Sequence, residues 1–389
     1  METQLKVVQK GQLNEQARKS LEKQHYKIIG MHSAVKTCGW TKKMIKDEGG
    51  CYKLKFYGIM SSQCMQMTTS ISCANRCSFC WRDYKAPVSK NWEWGVDEPE
   101  FILEESMKAH HQLLVGLKGY KGTNMNAFKK SQQIKHVALS LTGEPITYPR
   151  MNELVDGFHR RCVSTFVVTN AQYPDHIKDL KPITQLYISL DAPTKNLLKT
   201  VDVPLFQDYW ERLNKSLEYM SDKKQRTCIR LTLVKGVNMA EPEKYAEMIR
   251  KGNPDFIEIK AYMFVGASRE RLKQENMPYH EDVVAFTKQL MECLPEYDIV
   301  SEHIPSRVVM CAKREFNKEG KWNTWTDFNK FHKLALSGQD FSTEDYLLPT
   351  PQTGIGETRN QLIQIGAKPV KVDEKTEELV FWKDKKIKS

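Results

Sequence analysis

Six of the ten cysteines lie between positions 38 and 80, and they are the residues of this chain best suited to metal chemistry. Three of them, Cys73, Cys77 and Cys80 (the tight triplet), are four and three residues apart, so one short loop can direct three thiolates at one centre. A closed zinc site normally completes a tetrahedron with protein ligands, whereas a cubane iron–sulfur cluster on three cysteines keeps one iron free. The tight triplet therefore predicts a [4Fe-4S] cluster with an open iron.

Other uses of cysteine compete with this interpretation. A disulfide framework suits short secreted chains, but this chain has 389 residues and begins without an apolar signal segment. Zinc is the stronger alternative, although no second Cys or His pair follows at zinc-finger spacing. Cys38, Cys51 and Cys64 (the wide triplet) are thirteen residues apart each time, which matches no metal motif, so on spacing alone they are equally well reduced buried thiols. The remaining cysteines are predicted to be buried thiols: Cys162, Cys228, Cys293 and Cys311.

Length and composition limit the class of protein. A chain of this size buries a large core, and a single α/β barrel with extensions fits it as well as two domains. It is 40% hydrophobic but has no run of roughly 18 apolar residues, which predicts a soluble protein without membrane spans. Free thiols and oxidation-sensitive clusters indicate a reducing cytoplasm.

The charge of the chain favours a polyanionic partner. Its 59 basic and 48 acidic side chains leave a net charge of +11. Residues 116–135 carry five lysines and no acid, which is typical of an exposed loop. Residues Arg307–Lys333 interleave cations with aromatic rings, a composition that suits unstacked bases and phosphates. For either stretch the alternative is a solvated surface over a capping hydrophobic cluster.

Short apolar runs alternate with helical patterns along the chain. Helical periodicity is clear in Phe206–Met220 and Val283–Leu290. Strands alternating with helices predict a parallel sheet of βαβ units, whose active sites lie at the carboxyl ends of the strands. The six predicted strands are Gln66–Ser72, His136–Thr142, Ser164–Thr169, Gln185–Leu190, Cys228–Lys235 and Phe256–Ala261. The tight triplet follows the first of them, so we expect it on the reactive face.

The loop of the tight triplet, with Phe79 before its last cysteine, resembles the signature of radical S-adenosylmethionine enzymes. Thr142-Gly143-Glu144-Pro145 resembles the Gly-Gly-Glu turn of that superfamily, with Thr142 in place of the first glycine. The resemblance implies an α/β fold, a partial (β/α)6 TIM-like barrel of the radical SAM type with N- and C-terminal extensions. Taken singly, each matching residue is equally a turn residue or a helix cap. The implied S-adenosylmethionine contacts are Gly143, Glu144, Asn170, Ser189 and Asp191.

A narrower resemblance, from about Thr37 to about Thr350, is to the tRNA 4-demethylwyosine synthases. It is carried by the wide triplet together with Lys260–Arg269 and Asn276–His280. The resemblance implies that the wide triplet holds a second, auxiliary [4Fe-4S] cluster. It also implies three parts: residues 1–65 as an extension with the auxiliary cysteines, 66–305 as the barrel, and 306–389 as a tRNA-contacting extension with a charged tail. The family's eukaryotic members carry a flavodoxin-like domain, for which the roughly 36 residues before Cys38 are too few. We therefore expect the archaeal type, a monomer with an external flavodoxin- or ferredoxin-like electron donor.

The reaction that the resemblance implies joins two substrates. A 5′-deoxyadenosyl radical made from S-adenosylmethionine activates the N1-methyl group of N1-methylguanosine-37 in the anticodon region of tRNA(Phe). That carbon adds to pyruvate, the carboxylate carbon is lost, and the third ring of 4-demethylwyosine closes. Two other functions remain open: another radical SAM enzyme with two clusters and a different substrate, and a non-catalytic metal-stapled RNA-binding protein.

Lys53 is the predicted catalytic amine. It lies two residues after Cys51, so in an extended segment both side chains point the same way. It matches the lysine that the family is proposed to use for a Schiff base with pyruvate. The alternative is a cation that only neutralises the cluster or a phosphate, and Lys55 competes for the role at the same parity.

Overall fold

The computed structural model describes residues 13, 15–83 and 86–356, together with the backbone of two short strands at 371–372 and 379–380. One sheet of ten strands dominates it, in the spatial order β1-β2-β3-β4-β5-β6-β7-β8-β10-β9. These strands are β1 Lys27–Ile29, β2 Ser33–Val35, β3 Cys64–Thr68, β4 His136–Leu139, β5 Ser164–Thr169, β6 Gln185–Ser189, β7 Thr227–Leu233, β8 Phe256–Ala261, β9 Tyr297–His303 and β10 Val308–Lys313.

Strands β3 to β8 pair in parallel and form the predicted partial barrel. The predicted strands are confirmed, with one shift that matters for the site. The first strand begins at Cys64 and ends at Thr68, earlier than predicted. It ends there because the Thr68 hydroxyl donates to the Ser70 carbonyl at 2.8 Å and accepts from the Ser70 amide at 3.1 Å, which turns the chain. Cys64 therefore stands at the amino end of the strand that the tight triplet follows.

Helices cover the outer face of the barrel. Alternate strand residues such as Ile229, Leu231 and Ile257 are fully buried against them. The helices are α1 Glu15–Lys23, α2 Gly39–Ile45, α3 Tyr52–Tyr57, α4 Pro99–Lys118, α5 Met125–Ser131, α6 Met151–Arg160, α7 Pro174–Asp179, α8 Lys195–Asp202, α9 Tyr209–Ser221, α10 Pro242–Gly252, α11 His280–Glu292 and α12 Phe328–Ser337. None of the helices in the described ranges is long and apolar enough to cross a bilayer.

Antiparallel strands extend the barrel sheet at both edges. At one edge β2 pairs with β3 and β1 with β2, while at the other β10 pairs with β8 and β9 with β10. The division expected at 65/66 falls inside β3, and the one at 305/306 falls between β9 and β10. The sheet is therefore continuous across both positions.

The aromatic rings of the C-terminal stretch lie against the barrel, and a tRNA contact by this extension stays a prediction. Phe316 belongs to the core cluster that contains Phe166 and Phe256, and Trp322 and Phe328 are partly buried against that cluster. Phe331 is fully buried in a separate cluster, and the Trp325 indole donates to the Lys55 carbonyl at 2.9 Å. These rings are a capping hydrophobic cluster, because burial there removes more apolar surface from water than exposure beside the lysines would. The strand expected near Leu379 is present as Leu379–Val380, paired with Lys371–Val372.

Candidate active site

The tight triplet lies in a loop at the carboxyl end of β3, as expected. Cys73 Sγ accepts from the Asn75 amide at 3.4 Å and from Asn170 Nδ2 at 3.5 Å. Burial, with a smaller effect of the Glu144 carboxylate, raises the pKa of the Cys73 thiol to about 11. Burial, and then the nearby Asp202 and Cys80, raise the pKa of Cys77 well above its usual value. The three sulfurs are therefore electrostatic neighbours in a partly buried loop.

Two elements from other parts of the chain hold this loop. The end of α8 accepts two of its amides, from Arg76 to the Asp202 carbonyl at 3.0 Å and from Ser78 to the Val201 carbonyl at 2.7 Å. From the segment after β8, Arg271 donates through Nε to the Ser78 carbonyl at 2.9 Å and through Nη2 to the Cys80 carbonyl. Arg271 is not predicted from the sequence. Its guanidinium binds backbone carbonyls that are 193 and 191 residues away in the chain, so no local motif marks it.

The turn after β4 lies directly against the cysteine loop. Gly143 has φ +67°, and a Cβ there would meet the Ser70 carbonyl oxygen at 1.9 Å, so only glycine fits. The Glu144 amide donates to the Ser72 carbonyl at 2.8 Å. Its carboxylate is buried and accepts from the Asn170 amide at 2.9 Å. Burial raises the pKa of Glu144 to about 7.

The other predicted S-adenosylmethionine contacts end the next two strands. Asn170, after β5, links Glu144 to Cys73 through the hydrogen bonds above. Ser189 ends β6 and is half-buried, and Asp191 follows it with its carboxyl buried. Burial raises the pKa of Asp191 to about 6. The structure thus brings Gly143, Glu144 and Asn170 together beside Cys73, with Asp191 near Cys77.

Buried polar atoms around the cysteine loop lack hydrogen-bond partners, which is unusual because such atoms are normally satisfied. A ligand with an amino group, a carboxylate and ribose hydroxyls would satisfy them, so the residues fit S-adenosylmethionine. The unpartnered atoms include Ser72 Oγ, Asn75 Oδ1, Thr142 Oγ1, Glu144 Oε1, Asp191 Oδ1 and Asp202 Oδ1.

The wide triplet converges at the opposite end of β3. Cys38 directly precedes α2, Cys51 directly precedes α3, and Cys64 begins β3. The Cys51 amide donates to Ser61 Oγ at 2.8 Å, and Thr41 Oγ1 donates to the Cys64 carbonyl at 3.4 Å. Burial, together with the neighbouring Cys38, raises the pKa values of Cys51 and Cys64 to about 12. Three sulfurs separated by 26 residues of chain are thus electrostatic neighbours.

Both triplets fit the ligand set of an iron–sulfur cluster. Within the described part of the chain, no three His, Cys, Asp or Glu side chains come close enough to hold a single metal ion. The ligands of a cubane cluster stand farther apart than those of one zinc ion, because each cysteine binds a different iron. Thiols whose pKa is raised by burial release protons when a metal binds them, which couples cluster loading to the local fold.

Lys53 points into the barrel, but not because it alternates with Cys51 along an extended segment. The segment after Cys51 is helix α3, and residues two apart on a helix do not share a face, so the extended-segment argument is wrong. Instead, Lys53 Nζ lies 4.4 Å from the centroid of the Tyr187 ring and 5.8 Å from that of Phe166. Lys55 is buried, and its Nζ donates to the carbonyls of Glu302 at 2.9 Å and of Gly356. Only Lys53 of the two reaches the interior near the wide triplet.

The remaining cysteines lie outside the site. Cys228 and Cys311 are buried as expected, and Cys293 is partly buried. Cys162 is exposed, contrary to expectation, because it sits in the turn after α6 with φ +54°.

The first basic stretch forms a surface next to the wide triplet. Residues 125–131 are helix α5 rather than loop, but all five lysines of the stretch are exposed. Helix α5 packs on α2 through the Asn124 amide, which donates to the Ile45 carbonyl at 2.9 Å. Lys46 Nζ lies 3.9 Å from the centroid of the Tyr120 ring. We call this the α2–α5 lysine surface: Lys42, Lys43, Lys46, Lys118, Lys121, Lys129, Lys130 and Lys135.

Comparisons with known proteins identify the family. The wyosine base formation family matches residues 251–313, and the radical SAM superfamily matches residues 122–249. A solved structure of TYW1 with a lysine–pyruvate adduct bound is 37% identical, has a TM-score of 0.70, and is aligned over 78% of this chain and 97% of that one. The chain belongs to the TYW1 family. The structure of archaeal TYW1 is 33% identical over the same shares, with a TM-score of 0.64.

Curated TYW1 relatives are longer than this chain. The S-adenosyl-L-methionine-dependent tRNA 4-demethylwyosine synthase of Oryza sativa subsp. japonica is 49% identical over 341 residues, which are 87% of this chain and 52% of the relative. Human TYW1 is 46% identical over 86% of this chain and 47% of its own length. This chain therefore spans about half the length of these relatives. Since they are more similar to it than archaeal TYW1 is, identity does not favour the archaeal subdivision that we expected.

Proposed function

We propose that this chain converts N1-methylguanosine-37 of tRNA(Phe) and pyruvate into 4-demethylwyosine, using S-adenosylmethionine and two [4Fe-4S] clusters. The observation that carries the proposal is the placement of the two triplets at opposite ends of β3, with Lys53 pointing into the barrel between them. A single-cluster enzyme needs only the tight triplet. The fold and family are those of TYW1, and a TYW1 structure holds a lysine–pyruvate adduct.

When bound at the tight triplet, the cluster and S-adenosylmethionine supply a 5′-deoxyadenosyl radical by reductive cleavage of a carbon–sulfur bond. The chain's own residues prepare the place where this happens. Asn170 and Glu144 fix each other beside Cys73, so the polar end of the cofactor meets groups already in position. Buried rings such as Phe56, Phe256 and Phe316 fill the interior cluster, which would limit the entry of water beside the substrate.

Lys53 is proposed to hold pyruvate as an imine. The amine attacks the keto carbon, water leaves, and the substrate becomes fixed at the end of a side chain that reaches the level of Tyr187. The auxiliary cluster on Cys38, Cys51 and Cys64 is proposed to lie beside that carbon. The electron is proposed to come from a separate flavodoxin- or ferredoxin-like protein in the cytoplasm.

The α2–α5 lysine surface is proposed to bind the tRNA. It begins at the wide triplet, because Cys38 directly precedes α2, and its lysines are mostly exposed. Exposed lysines neutralise phosphates and give salt-dependent affinity. Replacing Lys121, Lys129 and Lys130 together by Ala should weaken tRNA binding by roughly tenfold or more and lower the salt slope by about three. As a control, Lys199→Ala and Lys288→Ala, at exposed lysines of α8 and α11 outside this surface, should leave binding unchanged.

Label transfer tests the reaction directly. Anaerobic enzyme, reductant, S-adenosylmethionine, N1-methylated tRNA(Phe) and pyruvate labelled at its methyl carbon should give labelled tRNA with a tricyclic base, detected by mass spectrometry of nucleosides. No label in the RNA contradicts the proposed substrates.

Metal analysis separates the proposal from an RNA-binding protein stapled by zinc. We expect about eight irons per chain, and about four in each variant with one triplet replaced by Ala, since each cubane holds four. Zinc in place of iron would contradict the proposal and support the alternative of a non-catalytic RNA-binding protein stapled by zinc. Eight irons without label transfer would leave the alternative of another radical SAM enzyme with a different substrate.

Borohydride trapping tests Lys53. The parent enzyme with pyruvate should gain a reduced adduct on the peptide that contains Lys53. Lys53→Arg keeps the charge but should give no adduct. An adduct that persists in Lys53→Arg removes Lys53 from this role.

A further inference from the structure

Two cationic side chains lie next to each other on the inner face of the barrel, on strands β7 and β8. Strand register pairs Arg230 with Glu258 and Thr232 with Lys260, so Arg230 and Lys260 are diagonal neighbours. Arg230 is two residues from Cys228, and Lys260 is four from Phe256, and both of these belong to the interior cluster. Alternation along a strand therefore directs both cations inward. Both are partly exposed, so they border open space inside the barrel.

Carboxylates lie near these two cations without forming a direct ion pair with either of them. The nearest carboxylate, Glu258, is fully buried and already accepts from the hydroxyls of Tyr52 at 3.0 Å and Tyr57 at 2.9 Å. Neither cation makes an ion pair within 4.0 Å with any residue that the structure describes. Lys260 Nζ has the Ser306 carbonyl at 3.1 Å as its hydrogen-bond acceptor.

Like charges on adjacent strands repel each other, and burial disfavours the charged form of both, although Tyr52, Glu258 and Asp191 outweigh burial and raise the pKa of Arg230. Burial, and then the charge of Arg230, lower the pKa of Lys260 to about 8. An anion between the two side chains would offset both effects.

The same interior space is reached by Lys53. Tyr187, whose ring centroid is 4.4 Å from Lys53 Nζ, pairs in register with Cys228, and Ser189 pairs with Arg230. Lys53 thus enters one side-chain layer below Arg230. On the other side, Lys260 lies within the electrostatic reach of Cys51.

We propose that Arg230 and Lys260 bind the carboxylate of a small 2-oxo acid and turn its keto carbon towards Lys53. The guanidinium offers two parallel N–H groups to a carboxylate and the ammonium a compact charge. The choice of a 2-oxo acid rests on the proposed function. The carboxylate of S-adenosylmethionine has the same chemistry, but the proximity of Lys53 favours the smaller acid.

Direct binding tests the site without requiring the imine or the RNA reaction. The probe is oxamate, an isostere of pyruvate that does not form the imine, titrated calorimetrically into the anaerobic holoenzyme. S-adenosylmethionine is titrated in parallel. The variants are Lys260→Met, Lys260→Arg, Arg230→Gln and Arg230→Lys, each with iron content and melting temperature measured. Lys288→Met, on the outer helix α11, is the matched control.

Loss of either cation should weaken oxamate binding by about tenfold or more, because a charged hydrogen bond is lost. Lys260→Arg should stay within about threefold of the parent, Arg230→Lys should weaken binding because the fork is lost, and Lys288→Met should change nothing. The affinity for S-adenosylmethionine should stay within about twofold. If Lys260→Met and Arg230→Gln lose iron, the oxamate affinities of Lys260→Arg and Arg230→Lys are compared instead. Weaker binding in Arg230→Lys than in Lys260→Arg then supports the proposed carboxylate site.

Three results would overturn the site: no oxamate binding to the parent, unchanged binding in the variants, or weakening of S-adenosylmethionine instead of oxamate. If oxamate binds as expected but no label enters tRNA, the carboxylate site stands and the proposed function fails.

Discussion

Arg271→Gln removes the cation that ties the loop of the tight triplet to the segment after β8. The guanidinium donates to the Ser78 carbonyl at 2.9 Å, to the Cys80 carbonyl, and more weakly to the Arg82 carbonyl at 3.5 Å. Hydrogen bonds to a charged group contribute about 1.5–3 kcal/mol each, so the first two give about 3–6 kcal/mol. Because Arg271 is partly exposed, solvent screening reduces the expected loss, in the free energy that keeps the loop closed, to about 2 kcal/mol. If the loop must open before iron is lost, a loss of about 2 kcal/mol corresponds to a roughly 30-fold larger population of molecules with the loop open.

Iron release measures this loss. The assay uses a background in which the three wide-triplet cysteines are Ala, so that only the cluster on the tight triplet is followed after anaerobic reconstitution. Iron should pass to a chelator about 30-fold faster in Arg271→Gln, with Arg271→Lys intermediate. Arg269→Gln is the matched control, since Arg269 is exposed and donates only to the Phe264 carbonyl at 3.1 Å among the hydrogen bonds described. A release rate in Arg271→Gln within twofold of the parent contradicts the role of Arg271 in holding the loop of the tight triplet.

Three further predictions follow from buried groups. Gly143→Ala should lower affinity for S-adenosylmethionine at least tenfold and reduce the melting temperature, because its Cβ would meet the Ser70 carbonyl oxygen at 1.9 Å at φ +67°; equilibrium dialysis and thermal unfolding measure both. Tyr52→Phe and Tyr57→Phe should each lower the free energy of unfolding in urea by about 1.5–3 kcal/mol, because each leaves Glu258 one hydrogen bond short. Burial lowers the pKa values of His136 and His159 to about 3. In the unfolded chain each histidine has a pKa of about 6.5, so below that pH the unfolded chain binds more protons than the folded one. The free energy of unfolding should therefore fall as pH drops from about 6.5 towards 4, by up to about 1.4 kcal/mol per pH unit for each histidine. His159→Gln should reduce this slope in urea denaturation between pH 7 and 5.

The sequence predicts those parts of the site that depend on local order. The spacing of the tight triplet is a property of one loop, and the strand that precedes it is marked by a short apolar run. Turns after successive parallel strands must meet at one edge of the sheet, so Glu144, Asn170 and Asp191 are placed correctly without a structure. The bounds of β5 and β8 are also correct, because each is a short segment rich in Val, Ile, Thr or Phe.

Contacts between distant segments are not visible in the sequence. Lys53 was assigned from strand parity, although Tyr52–Tyr57 is a helix whose tyrosines reach Glu258 across the barrel. The aromatic residues after Arg307 look like a nucleic-acid surface, because their composition is the same whether they are exposed or buried. The structure buries Phe316 and Phe331 and leaves Trp322, Trp325 and Phe328 partly exposed, a difference that composition does not show. Tertiary packing overrides local pattern in both cases.

The length of β3 explains why the proposed reaction would need an amine on a long side chain. A strand of five residues spans about 16 Å, and the wide triplet gathers at its amino end while the tight triplet lies beyond its carboxyl end. A small acid bound only at the wide triplet would therefore remain far from a radical made at the tight one. Tyr187 is the middle residue of β6, so Lys53, which reaches its ring, presents its amine about halfway along the barrel. Arg230 and Lys260 lie one to two side-chain layers nearer the carboxyl end, where a carboxylate bound to them would draw the imine carbon towards the tight triplet. Lys55, although only two residues away, cannot replace this amine, since its Nζ is bound to backbone carbonyls at the outer edge of the sheet.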